Sequence, residues 1–440
     1  MKKLSIRIIR KTAHLSHQLL TRGSRFTKKV EDKTTRILSG TDYSIQVDQS
    51  IPFEKIYYTS IPHVLPLNPA MPAIGSKPSV TLLIPSLDGS SFFGGTATAL
   101  VVAAKLALAS GMRLRIVQTL KTGRPKSLNA FFLSEGVPMR EDDIQIISIA
   151  DRAYNTYGYI SMHPEDIYIA SAWWDAHLLQ KLPLTKRFIY LIQDFEPIFY
   201  NNSDMYILAE ETYRQGNYVP LCNTKLMFDF MSERAYQPFT DSPSFWFEPA
   251  VSRISSGQVT KKRAGEKKNL FIYGRPNVHR NLFFTALTAL DYAFQAGFLD
   301  KNEWNCYMAG QEGLSNIDLP SRVNIKNLGK MGMQEYIDFS KTIDIAISPM
   351  MAPHPNYPTL EFASIGSAVV TTKYANKVSL DNYSKNIFMS EIDTASIAGA
   401  IRLAAELPYS KRTNNLRTTS IPNSWDKSLD TSIKAILSVL

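Results

Sequence analysis

The residues best suited to chemistry lie at 269–281, where the chain reads NLFIYGRPNVHRN. An apolar run stops at Gly274, and two guanidinium groups, Arg275 and Arg280, follow before a helical pattern begins. A strand closed by glycine, with cations over a helix N-terminus, suits a diphosphate. The glycine lets the backbone approach, the helix end offers N–H groups, and arginine presents a planar fork that matches phosphate oxygens. The alternative is an ordinary strand-to-helix turn carrying two surface arginines. No G-x-x-x-x-G-K-S/T run occurs, so the site is not of the Walker type.

Three further segments carry chemistry of a compatible kind. The loop 85–96, PSLDGSSFFGGT, brings Gly94 and Gly95 to the start of a helix, where backbone can meet a ligand; a plain turn is the alternative. It is not G-x-G-x-x-G, and the next strand runs into Thr119 rather than an acidic residue, which disfavours a nicotinamide cofactor. At 344–366, DIAISPMMAPHPNYPTLEFASIG, a buried strand leads through a proline-rich loop to a helix opened by Thr359. Backbone N–H groups there can hold a phosphate, and Glu361 can accept from sugar hydroxyls or simply meet the helix dipole. Directly after an apolar strand at 188–192 come Gln193, Asp194 and Glu196. A carboxylate at that place can act as a base or orient an acceptor hydroxyl, or else cap the next segment. Trp173 and Trp174 close the preceding strand, where an indole either stacks on a sugar or packs.

Other chemistries lack their residues. The seven histidines show no H-x-x-x-H spacing, no D-x-D follows a strand, and no G-x-S-x-G occurs, so no metal site is expected. Cys222 and Cys306 stand in separate apolar segments and read as free thiols of a reducing compartment, with the cytoplasm as the expected location.

The elements that must position these residues are α/β in pattern. Uninterrupted apolar strands at 80–84, 114–118, 144–149, 166–170, 188–192 and 218–221 alternate with helical stretches. A second series follows at 270–273, 304–309, 324–327, 343–348 and 368–372, with helices at 281–298, 333–342 and 359–366. Such runs predict parallel sheets covered on both faces. The expected organisation is a basic arm and proline-rich connector at 1–75 and a Rossmann-like domain at 76–251. A Ser/Gly/Lys/Arg linker at 252–268 leads to a second such domain at 269–408. The helical segment 409–440 can fold back on the first domain. The connector is expected to be extended, because its prolines break both helices and sheets. Two doubly wound domains would face each other across a cleft at their strand C-termini.

The bulk numbers set the remaining limits. Hydrophobic residues make up 44% and charged residues 20%, as in ordinary globular proteins, and no apolar run reaches the ~18 residues of a membrane span. No secretory signal is evident. Of the net charge of +10, residues 1–36 carry +9, from eleven Lys or Arg against Glu31 and Asp32. The folded part is therefore near neutral, which argues against a nucleic-acid partner. The arm, with Leu4, Ile8, Leu15 and Leu19 as a weak apolar stripe, either lies on an anionic membrane face or is a solvated tail.

Read together, these motifs resemble the family-4 retaining glycosyltransferases of the GT-B fold. The likeness is closer to the WsaF-type rhamnosyltransferases, which build bacterial polyrhamnose glycans. The matching runs are FGGTATAL (93–100), ASAWWDA (170–176), YLIQDFEPIFY (190–200), IYGRPNVHRN (272–281), LGK (328–330) and PHPNYPTLEFASIG (353–366). The resemblance implies a dTDP-β-L-rhamnose donor and a growing, lipid-linked glycan as acceptor. Retention would come by front-face attack, with no metal or other cofactor. It implies that Arg275 and Lys330 hold the diphosphate with Arg280 nearby, and that Thr359, Leu360 and Glu361 meet the nucleoside end. Gly94 and Gly95 would approach the diphosphate, and Tyr273 and Tyr357 join the donor contacts. Asp194 and Glu196 are the candidate catalytic carboxylates, with Trp173, Trp174 and Gln193 on the acceptor side. The chain departs from the family pattern at Pro353, where the first Glu of an E-x7-E pair is usual, and at Gln193, where a strand-end His is common. A UDP- or GDP-hexose donor, or a silent sugar-nucleotide-binding assembly subunit, are the alternatives.

Overall fold

A computed structural model describes residues 50–87, 94–125, 127–153, 158–214, 216–252, 254 and 258–440. The basic arm with its apolar stripe, residues 88–93 of the glycine loop and 255–257 of the linker lie outside the described residues. The chain divides into two units, Met1–Pro62 and His63–Leu440. In the first, the helix Phe53–Ser60 starts directly after Pro52. Proline is well tolerated just ahead of a helix because its fixed φ suits the entry, so this part of the connector is helical rather than extended.

The second unit holds two seven-stranded sheets. The first runs β4-β3-β2-β6-β7-β8-β9 and is wholly parallel. Its strands are β2 (Ser79–Ile84), β3 (Arg113–Gln118), β4 (Ile144–Ser148), β6 (Ile167–Ala170), β7 (Phe188–Ile192), β8 (Tyr218–Asn223) and β9 (Phe245–Phe247). The remaining pair, β1 (Asn68–Ala70) and β5 (Tyr159–Ser161), forms a small parallel sheet; here too the proline-rich connector is not wholly irregular, since Pro69 sits in a two-stranded edge. The second large sheet runs β12-β13-β11-β10-β14-β15-β16. It comprises β10 (Lys268–Tyr273), β11 (Trp304–Ala309), β12 (Ile317–Asp318), β13 (Asn324–Asn327), β14 (Ile345–Ile347), β15 (Ala368–Thr372) and β16 (Ile387–Ser390), with β12 alone antiparallel to its neighbour. In each sheet the order reverses beside the first long strand, β2 or β10, which opens a crevice at that strand's C-terminal end.

Burial explains the strand compositions. Every residue of β2, β6, β7, β8 and β15 is buried, because helices cover both faces, and so their sequences are mostly apolar, with a few buried Ser, Thr and Asn, rather than alternating. The helix Gly94–Ser110 is apolar nearly all round and buries ten residues. It lies between the first sheet and the C-terminal helix Trp425–Leu437, whose Trp425, Leu429, Ile433 and Ile436 join the same core. Lys105 on the former helix pairs with Asp430 of the latter at 2.7 Å. The chain's last helix thus belongs to the core of the first lobe. The linker is held against the second lobe, with Val259 N–H donating to Ile365 O at 2.8 Å and Thr260 N–H to Lys341 O at 2.7 Å.

The helix expected at 281–298 is the shorter Phe283–Gln295. A single 3-10 turn, His279–Asn281, and a left-handed Leu282 precede it, and Gly297 at φ +70° follows. Arg280 therefore sits on a tight turn rather than on the helix itself.

Candidate functional site

The loops after β2, β6, β7, β8, β10 and β14 converge on one cavity of about 340 Å³ between the two lobes. Its walls include Gly94, Gly95, Trp174, Gln193, Asp194, Glu196 and Asn223 from the first lobe. Tyr273, Arg275, Arg280, His354 and Tyr357 come from the second. Arg275 also faces a second recess, shared with Gly310 and Lys330. Arg275 and Lys330 are both exposed, and Tyr273 steadies the former by accepting from Arg275 Nη1 at 3.4 Å. Arg275 thus borders both the cleft and the adjoining recess, Lys330 borders the recess, and neither has an acidic partner among the described residues.

Gly274 has a local cause. A Cβ there would stand 3.2 Å from Met308 Cβ and 3.3 Å from Ala309 O, so the neighbouring strand β11 requires the glycine. Gly94 has φ +52°, which favours glycine, and at Gly95 a Cβ would meet the Gln193 amide at 3.3 Å. Gln193 Nε2 donates to Gly95 O at 3.0 Å, which ties the strand end of β7 to the glycine loop.

The two candidate carboxylates are both buried and both engaged. Asp194 forms an ion pair with Arg280 across the cleft at 3.2 Å, without an aligned hydrogen bond from Nε. Burial raises its pKa, and Arg280, the Phe195 N–H and Lys377 work against that rise. Arg280 also lies over the Phe199 ring at 3.9 Å, so its charge is committed to this cross-lobe contact rather than left open. Glu196 Oε2 accepts from Trp173 N–H at 2.6 Å, so it serves the N-terminus of the helix Trp173–Gln180. Burial pushes its pKa up to about 8, aided by Asp175 and Asp194. Asp175, fully buried beneath it, is pushed up to about 7. At neutral pH Glu196 is therefore mostly protonated, a hydrogen-bonding group more than a base.

Trp173 and Trp174 separate in role. Trp173 is fully buried, donates to Tyr200 Oη at 2.9 Å and packs edge-on against Trp174 and Tyr200. It has no open face for a sugar, which corrects its expected place among acceptor contacts. Trp174 lines the cleft.

The helix opened by the proline-rich loop is Tyr357–Ser364, and its N-terminus is largely occupied already. Asn356 caps it, taking the Thr359 N–H at 2.8 Å, and Pro358 has no N–H to give. The expected phosphate grip by the Thr359 N–H is thus unavailable in this arrangement, and Leu360 is fully buried. Glu361 accepts from Tyr336 Oη at 2.8 Å and borders a small recess of about 40 Å³ at the lobe junction. Tyr357 lines both that recess and the cleft. Its hydroxyl is bonded to Thr98, and it accepts from Asn223 Nδ2 at 3.2 Å, so it bridges the lobes. Glu361 is therefore separated from the main cavity by Tyr357.

Four site residues escaped the reading of the sequence: Asn223, Tyr336, His354 and Lys377. His354 stands inside the PHPNYPTLE run, and Asn223 ends β8 on the same sheet edge as Gln193; either could have been found from those places. Lys377 follows β15 in a turn with no motif. It is fully buried, donates to Met350 O at 3.2 Å and His354 O at 3.3 Å, and burial lowers its pKa to about 7.

Comparison with known proteins agrees with this architecture. The profile described as WsaF, N-terminal domain, matches residues 79–225, and that described as WsaF, C-terminal domain, matches 268–402. The O-antigen biosynthesis protein RfbC of Myxococcus xanthus is 26% identical over 285 residues, covering 62% of this chain. The match spans about a fifth, 21%, of that relative's length. Among solved structures, Anabaena Alr3699/HepE in complex with UDP and glucose superposes with a TM-score of 0.56 at 11% identity, covering 83% of this chain and all of that one. Sucrose-phosphate synthase from Thermosynechococcus elongatus gives 0.54 at 11% identity, over 82% and 98% of the respective chains. Such distant likeness speaks to the fold, which is the GT-B arrangement of two Rossmann-like lobes about a cleft. With its two profiles covering most of both lobes, the chain belongs to the WsaF family.

Proposed function

We propose that the protein is a retaining glycosyltransferase that moves L-rhamnose from dTDP-β-L-rhamnose to a growing, lipid-linked cell-surface polysaccharide. The observation that carries this reading is the contrast across the cleft. Exposed cations stand on the second lobe, Arg275 in the cleft wall and Lys330 in the recess beside it, while the first lobe offers amides, an indole and carboxyls that are paired or buried. The former suit a diphosphate and the latter suit hydroxyl-rich sugars. Family membership supports the reaction class. The O-antigen biosynthesis name of the Myxococcus relative supports a polysaccharide product, and the UDP and glucose bound by HepE support a nucleotide-sugar donor.

In this reading Arg275, steadied by Tyr273, and Lys330 hold the diphosphate and offset the negative charge that grows as the sugar–phosphate bond breaks. The acceptor hydroxyl enters on the face from which the diphosphate departs, and its proton passes to the departing phosphate oxygen. No free carboxylate base is needed, in keeping with the engaged states of Asp194 and Glu196. Glu196, protonated near neutrality, is suited to hydrogen-bond a sugar in the cleft. Orientation across the closed cleft supplies much of the rate. No metal or other cofactor enters this scheme, so chelation with EDTA should leave turnover unchanged.

Calorimetric titration with dTDP, UDP and GDP tests the donor. The expected result is tightest binding of dTDP, lost in R275A. Preference for UDP or GDP would redirect the reading to another hexosyl donor. Donor binding without transfer or hydrolysis would favour a silent assembly subunit. The basic segment 1–36 is assigned to peripheral contact at the cytoplasmic face of the membrane. Among the described residues no helix is long and apolar enough to cross a bilayer. Removing 1–40 should reduce binding to anionic liposomes, and unchanged binding would dismiss that contact.

A further inference from the structure

Five polar atoms on the cleft-lining side chains are cut off from water and make no hydrogen bond among the described residues. One, Arg280 Nε, still faces the Asp194 carboxylate at 3.2 Å; the other four, Gln193 Oε1, Asn223 Oδ1, Trp174 Nε1 and His354 Nε2, have no such partner. A buried polar atom left without a partner is costly, and native proteins rarely keep one without a reason. Four around one cavity point to a ligand that completes them. Two of the atoms are acceptors and two are nitrogen donors. A phosphate could use only the donors and would face the two amide oxygens unfavourably. A hydroxyl both gives and receives, so a polyol satisfies the whole set.

His354 is the most constrained member. It is 4% exposed, and its Nδ1 accepts the Asn356 N–H at 2.9 Å, so the ring proton belongs on Nε2. Lys377 Nζ donates to the His354 carbonyl from below at 3.3 Å and fixes the loop. Burial, with Lys377 and Arg280 nearby, lowers the imidazole pKa to about 3, so it stays a neutral N–H donor. We propose that His354 Nε2–H hydrogen-bonds a hydroxyl oxygen of the sugar being transferred, making it a donor-sugar specificity residue. The assignment rests on the glycosyltransferase reading, and it deepens that reading by dividing donor recognition between cationic diphosphate contacts and a neutral sugar contact.

The test is calorimetric binding of dTDP and of dTDP-β-L-rhamnose to the full chain as wild type, H354A, H354Q and R275A. Wild type should bind the sugar nucleotide more tightly than dTDP. H354A should lose about fivefold to tenfold in affinity for dTDP-β-L-rhamnose and keep its affinity for dTDP, as expected for one neutral hydrogen bond. H354Q, which keeps an N–H near the same place, should recover most of that loss. R275A should weaken both probes. Equal loss of both probes in H354A would overturn the assignment, since a merely structural histidine would act that way. So would full retention of sugar-nucleotide affinity in H354A. Failure of wild type to bind either probe, with R275A no different, would remove the donor reading and this assignment with it.

Discussion

Each lobe pins the lower edge of its sheet with a buried arginine–aspartate pair, Arg115–Asp166 at 2.8 Å in the first and Arg412–Asp344 at 2.9 Å in the second. At the opposite edge the lobes diverge. The strand ends of the first present an indole, two amides and carboxyl groups whose charge is either neutralised by burial or paired. Those of the second present guanidinium and ammonium groups, with Arg275 open in the cleft wall and Lys330 open in the recess beside it. One scaffold thus supports two chemistries, because its strand C-termini are free to vary while the lower edges hold it together. The difference assigns neutral, hydroxyl-directed recognition chiefly to the first lobe and charge-directed recognition of the diphosphate to the second, to which the proposed sugar contact of His354 adds one neutral group.

The comparison is most exposed to mutation at Arg275. R275A should lower kcat/KM by about a hundredfold to a thousandfold, the scale of losing one charged transition-state contact. Q193A in the first lobe should lower it only about tenfold. Equal losses would erase the division between the lobes. The lower edges should behave alike instead. D166N and D344N each leave an arginine buried without its charge partner, and each should cost about 3 kcal/mol in urea unfolding. A loss in only one lobe would show that the two edges are not equivalent.

A pH series sharpens the electrostatic side. The Glu196 carboxyl has its ordinary value of 4.5 raised to about 8 by burial. Between those values the folded chain holds a proton that the unfolded chain has released. Stability therefore falls as pH rises from about 4.5 through about 8 and levels beyond. E196Q should remove that part of the decline; parallel curves for variant and wild type would mean that Glu196 is ionised in the fold. The smallest effects are expected at the tryptophans. W173F should lower stability by about 1 kcal/mol through its bond to Tyr200 while leaving acceptor KM alone. W174F should shift acceptor KM by a fewfold.

Much of the fold was legible because buried parallel strands are mostly apolar runs. The bounds of Phe188–Ile192, Trp304–Ala309 and Ala368–Thr372 coincide with the pattern in the sequence. Short edge strands such as Phe245–Phe247 were not, since half of an edge strand meets solvent and its pattern is weak. The helix Phe53–Ser60 was hidden by flanking prolines that bound it rather than break it. At the site, strand-end positions could be read from local order, as for Gln193 and Arg275. What Asp194, Arg280 and Thr359 are bonded to could not, because each partner lies on another loop or is a cap whose geometry depends on a left-handed Asn356. Lys377 was invisible for the same reason: only the tertiary fold brings its ammonium under the loop of His354.

The division between the lobes is tested most directly by a crystal structure of the chain with dTDP-β-L-rhamnose bound. Phosphate oxygens should lie within hydrogen-bonding distance of Arg275 and Lys330, with the sugar ring turned toward Gln193, Asn223 and His354. Phosphates seated among the first-lobe side chains, or a nucleotide bound outside the cleft, would contradict that division.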